Sequence, residues 1–143
     1  MAEPLVSAGP IDHVALITGD ADRTARWYAE HLGLHVVRDE FVDAVGVRLV
    51  WLYPRGCSPG GTAAGLQLLE PHRPGPPLTH LRERGEGLHH FCFAVDDLDA
   101  VLRSAGQPPE DAFTGGFGLP CAFLAESAGG ELVELVQRPA PPA

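Results

Sequence analysis

The chain has 143 residues and a formal charge of −9, with 45% hydrophobic and 20% charged residues. That size fits one folded domain, and the composition is that of an ordinary globular protein. The acidic balance argues against nucleic acid or an anionic membrane as a partner, since both favour a basic surface.

No apolar run approaches the roughly 20 residues that cross a bilayer. Met1-Ala2-Glu3-Pro4 lacks the basic segment and long apolar core of a secretory signal. Cys57, Cys92 and Cys121 show neither pairing nor a C-x-x-C spacing. Two of them fall in apolar strand patterns, as expected of reduced thiols in a cytoplasmic protein. Lysine and asparagine are absent while alanine, glycine, proline and arginine abound, the bias of a GC-rich bacterial genome. An anionic substrate must then be held by arginines, backbone amides or a metal.

Residues 1–10 read as a loose lead-in. Residues 11–18 form a first strand, with His13, Ala15 and Ile17 on one face and Val14 and Leu16 on the other. Asp20 or Asp22 can cap the next helix, whose apolar stripe is Ala21, Ala25, Tyr28 and Leu32, and Gly33 suits its end. Residues 34–41 and 46–53 read as valine-rich strands, residues 54–65 as a loop and residues 64–70 as a fourth strand. A proline-rich joint at 71–77 leads to a short helix at 78–84. A strand from Leu88 then runs into a helix carrying Leu98, Val101, Leu102 and Ala105, ended by Gly106. Shorter strands are expected near 107–113, 120–125 and 131–137, and residues 139–143 as a frayed end.

The second series repeats the first. Shifting the stretch from Ile11 to Arg26 by 77 positions places His13 on His90, Asp20 on Asp97, Asp22 on Asp99 and Arg26 on Arg103. The predicted fold is therefore α+β: two βαβββ modules, 11–71 and 88–138, in one domain spanning 11–138. Their last strands also correspond, with Gln67 and Glu134 each a polar residue among branched apolar neighbours. A polar group there costs on the order of 1–3 kcal/mol, more for a carboxylate, unless something satisfies it.

If the modules meet about a pseudo-twofold axis, His13, Gln67, His90 and Glu134 converge. Two imidazoles and two oxygen donors suit a divalent first-row ion with positions left for water or substrate. Ala15, Cys92 and Ala94 leave room for a ligand on the histidine faces. His89 rivals His90, but only His90 obeys the repeat, and strand alternation sends His89 to the opposite face.

These residues carry a resemblance. Ile11-Asp12-His13-Val14-Ala15, Leu68-Leu69-Glu70-Pro71, the stretch from Gly87 to Leu98, and Gly129-Gly130-Glu131-Leu132-Val133-Glu134-Leu135 resemble the vicinal oxygen chelate superfamily. That group includes glyoxalase I, ring-cleaving dioxygenases and bleomycin-resistance proteins, and within it the chain is most similar to methylmalonyl-CoA epimerases. The resemblance implies a glyoxalase-like barrel, a homodimer, a small-molecule substrate, and His13, Gln67, His90 and Glu134 as ligands of zinc, cobalt, manganese, nickel or magnesium. The chain also departs from the pattern. Ala44 stands where those epimerases carry a proton-transfer glutamate, and Phe117 where histidine is usual.

An ion there would polarise a carbonyl and stabilise an enolate while a base moves the neighbouring proton. Glu134 or Asp43 is the candidate base, with an ion-activated water as the alternative. The reading is a metal-dependent isomerase or lyase, acting on an acyl thioester or a related natural-product intermediate. Its alternatives are a tailoring cyclase or hydrolase, an iron(II)-dependent oxygenase using two histidines and a carboxylate, and a metal-free antibiotic-binding protein.

Overall fold

The structure, a computed structural model, describes residues 3–138; the end expected to fray, 139–143, lies outside them. Among the described residues the strands are β1 (Ile11–Ile17), β2 (His35–Val42), β3 (Val47–Tyr53), β4 (Gly65–Pro71), β5 (Gly87–Val95), β6 (Phe113–Thr114), β7 (Pro120–Phe123) and β8 (Leu132–Gln137). The helices are α1 (Ala21–Leu32), α2 (Pro76–Arg84) and α3 (Leu98–Ala105). Two βαβββ series thus succeed one another, joined by α2.

The strands form one curled sheet in the order β2-β3-β4-β1-β5-β8-β7-β6. The halves are not two separate sheets: β1 and β5 pair antiparallel at the centre, each flanked by the parallel last strand of its own half. This pairing obeys the repeat. Val14 faces Phe91 at the middle, and Ala15↔His90 mirrors His13↔Cys92 on either side.

Helices α1 and α3 cover the outer face. Beneath α1, Ala21, Val50, Leu52 and Leu68 form one cluster, and beneath α3, Leu98, Val101, Leu102, Ala122 and Leu135 form another. From Leu49 to Tyr53 β3 is buried on both faces, which explains the unbroken apolar run there. Asp20 and Asp97 cap α1 and α3 by accepting from Arg23 N and Ala100 N, and Gly33 and Gly106 end them in the left-handed conformation. A second device is also duplicated. The Glu70 carboxylate accepts from Ala21 N at 2.6 Å and the Gln137 amide oxygen from Leu98 N at 3.0 Å, tying each helix start to the end of its half's last strand.

Three expectations change. Leu32 is 63% exposed, because the buried face of α1 ends before its last turn. The strand expected over 107–113 is largely a 3-10 turn, Pro109–Asp111, since Pro108 and Pro109 have no N–H to pair. The lead-in is tied down at its end: Gly9 N donates to Ala94 O at 2.9 Å, and Pro10 O accepts from Ala94 N at 3.1 Å.

Curling brings the far edges together. The turn between β6 and β7 carries Phe117 at φ 58°, an uncommon backbone for a non-glycine residue. Its N–H donates to the Glu40 carboxylate on β2, which also accepts from Trp51 Nε1 at 2.9 Å on β3. The Phe117 and Trp51 rings stand 4.9 Å apart.

Candidate metal centre and active site

The inner face of the sheet lines an open cavity of about 420 Å³ shared by both halves. Its floor is set by register. His13 and Gln67 come from β1 and β4, where Ala15 pairs with Gln67; His90 and Glu134 come from β5 and β8, where Cys92 pairs with Glu134. Each histidine therefore lies two residues before the partner of its half's oxygen donor, and the four side chains project onto one patch.

Three of them meet. His13 Nε2 is 3.2 Å from His90 Nε2 and 3.2 Å from Glu134 Oε1, and His90 Nε2 is also 3.2 Å from Glu134 Oε1. Ligand atoms about 2.0–2.2 Å from one ion stand roughly 3–3.5 Å apart. The triangle therefore fits a first-row cation. Gln67 is buried and lines the same cavity, and none of the hydrogen bonds among the described residues uses its amide. No buried side-chain nitrogen or oxygen among the described residues lacks a partner, so the Gln67 amide opens onto the cavity, where an ion can reach it.

Electrostatics favour an ionised carboxylate between the two imidazoles. Burial pushes the Glu134 carboxyl up, but hydrogen bonds from His13 and His90 prevail and hold it well below the usual carboxylate range. Burial disfavours charge on His13, yet its bonds to Asp12 and Glu134 raise its basicity. Burial drives the thiols of Cys92 and Cys121 well up, so neither is a nucleophile. The three cysteines are free.

Sequence reasoning missed the layer behind the histidines. β1 and β5 each carry a bulge, at Asp12 and at His89, where the pairing skips a residue. A bulge breaks the alternation of faces and re-aims the side chain. Asp12 Oδ2 accepts from His13 Nδ1 at 2.8 Å, and its other oxygen accepts from Arg138 Nε at 2.7 Å. His89 does not point away, as alternation implied. It lines the cavity, with its Nδ1 2.7 Å from His90 Nδ1, and burial, then the neighbouring His90 and His80, lower its pKa to about 3. The repeat itself held this signal, since 77 positions separate Asp12 from His89.

Asp43 is not brought to the site. It lies in the exposed turn between β2 and β3, outside the cavity lining, while its neighbour Ala44 faces in. Its carbonyl accepts from Arg73 at the cavity rim.

The model of the Glyoxalase/Bleomycin resistance protein/Dioxygenase superfamily matches residues 10–107, and the chain belongs to that superfamily. Its relatives include epimerases. The crystal structure of methylmalonyl-CoA epimerase from Mycobacterium tuberculosis is similar at 35% identity and a TM-score of 0.79, over 99% of this chain and 93% of that one. A methylmalonyl-CoA epimerase in complex with methylmalonyl-CoA and NH4+ is 34% identical over 91% of this chain and 94% of that one, also with a TM-score of 0.79. The mitochondrial methylmalonyl-CoA epimerase of Mus musculus is 28% identical over 95% of this chain and 77% of its own length. Among the described residues no helix is long and apolar enough to cross a membrane.

Proposed function

We propose that the protein is a divalent-metal-dependent isomerase of the epimerase type that moves the proton next to the carbonyl of an acyl thioester. The observation that carries this reading is the 3.2 Å triangle of His13, His90 and Glu134 at the base of a cavity lined by both halves. His13, His90, Glu134 and Gln67 hold the ion. When bound, it supplies positive charge that polarises a carbonyl oxygen and stabilises the enolate.

The chain's own groups do the rest. Val42, Val47 and Leu69 on one side and Phe113, Phe123 and Val136 on the other exclude water around the acyl group. Of the carboxylates lining the cavity, Asp12 is held by His13 and Arg138. Glu134 remains as the proton carrier, and its depressed pKa keeps it in the base form at neutral pH. With Ala44 on the opposite wall, Glu134 would both remove and return the proton, and inversion then requires the enolate to turn its other face to that carboxylate before the return. Similarity to epimerases whose named ligand is methylmalonyl-CoA supports the thioester class.

The experiment is proton exchange in deuterium oxide. Metal-loaded protein should place deuterium at the α-carbon of 2-substituted acyl thioesters, methylmalonyl-CoA first, and His90→Ala should abolish both bound metal and exchange. Absence of incorporation with every thioester tried would overturn the reading.

A further inference from the structure

Two imidazole nitrogens 2.7 Å apart can share only one hydrogen. His89 Nδ1 and His90 Nδ1 stand at that distance, with their rings nearly perpendicular. If the hydrogen lies on His90 Nδ1, the Nε2 of His90 carries a lone pair toward Glu134 and His13. If it lies on His89, His90 must carry its own hydrogen on Nε2, where a ligand needs the lone pair. Without an ion the His90 Nε2 hydrogen can be donated to Glu134, 3.2 Å away; a cation among the three donors would replace that hydrogen and require the first arrangement.

The geometry points to His89 as the positioning residue of His90: its Nδ1 accepts the His90 Nδ1 hydrogen, fixing the ligand tautomer and the ring orientation. This inference rests on the metal centre proposed above. Two features support it beyond the single distance. His89 occupies the bulge that the repeat makes equivalent to Asp12, and Asp12 does the same for His13 in the first half. The His89 ring is also fixed from behind, 4.6 Å from the His80 ring of α2 and 6.4 Å from the Phe123 ring of β7, so it cannot swing off its partner freely.

The halves are then symmetric in position and unequal in chemistry. A carboxylate draws strongly on the N–H it accepts and makes the ring a more electron-rich donor, whereas a neutral imidazole draws weakly. His90 is the less donating of the two histidines, and the ion keeps more of its charge for a substrate oxygen than two carboxylate-backed histidines would leave it.

The test compares wild type with His89→Phe, His89→Gln and His89→Asp, each first shown to be folded by circular dichroism. Zinc affinity is measured by chelator competition, and the zinc-loaded proteins are examined by 15N spectroscopy of the histidine rings. Phenylalanine keeps the bulk but accepts no hydrogen bond, and should weaken zinc about 10–100-fold. Glutamine restores an acceptor and should return affinity to within about threefold of wild type. Aspartate copies the first half's device and should bind about tenfold tighter. In wild type the His90 ring should be metallated at Nε2 and protonated at Nδ1. Equal zinc binding by wild type and His89→Phe, or metallation of His90 at Nδ1, overturns the role of His89 alone. Failure of wild type itself to bind zinc is a separate result and overturns the metal centre.

Discussion

Replacing Asp12 by asparagine separates holding the fold from tuning the site. The carboxylate accepts from His13 Nδ1 at 2.8 Å and from Arg138 Nε at 2.7 Å, both charge-assisted because the carboxylate is ionised. A hydrogen bond to a charged group contributes roughly 1.5–3 kcal/mol and a neutral one roughly 0.5–1.5. Asparagine keeps the shape but has one acceptor oxygen, so its NH2 must oppose one of the two donors. One charged bond is lost and the other becomes weaker, and the Arg138 side chain, 23% exposed, recovers some hydration. The fold should therefore lose about 1–3 kcal/mol, a fall in Tm of roughly 3–12 °C. Zinc affinity should fall about 10–100-fold, because the His13 ring loses its anionic partner. Thermal unfolding and chelator competition on the same preparation read the two effects. A lower Tm with unchanged zinc affinity would show that Asp12 only braces Arg138, and the reasoning about histidine partners would fail.

Gly116→Ala should destabilise by about 1–3 kcal/mol, since the new Cβ would meet Trp51 Cζ2 at 2.4 Å; a urea midpoint equal to wild type would show that Trp51 yields without cost. Glu86 is held below its ordinary value of 4.5, first by the Gly19 N–H, then by the Thr18 hydroxyl and Arg23. The unfolded chain takes the proton first as pH falls, so this stabilisation is present above pH 4.5 and is lost as pH drops toward the folded value. Glu86→Gln should accordingly lower the urea midpoint at about pH 7 and leave a smaller difference from wild type at about pH 3; an equal difference at both pH values refutes the assignment. Ala44→Glu puts a carboxylate on the cavity wall and should raise α-proton exchange about 10²–10⁴-fold; no change would place the reacting carbon out of reach of that wall.

The residues made legible what the duplication encoded. His13 and His90 are 77 positions apart, Gln67 and Glu134 only 67, so each half had to be read through its own strand register. Helix starts and ends were legible because Asp20, Asp97, Gly33 and Gly106 act locally. The face of His89 was misassigned because alternation assumes regular pairing, and a bulge depends on the partner strand. A strand over 107–113 follows from repeating the order of the first half, but consecutive prolines forbid the ladder. Asp43 was within a residue of the cavity in sequence, yet the turn after β2 points Ala44 inward instead.

The central pairing of β1 with β5 puts the seam between the halves directly beneath the proposed ion. A twofold assembly of identical half-chains would have to present matching groups across that seam, either two amides or two carboxylates. Because both halves belong to one polypeptide, Gln67 and Glu134 can differ, and so can Asp12 and His89. A divalent cation meeting this donor set is left with one net positive charge, a value that no pair of identical subunits could set with these residues.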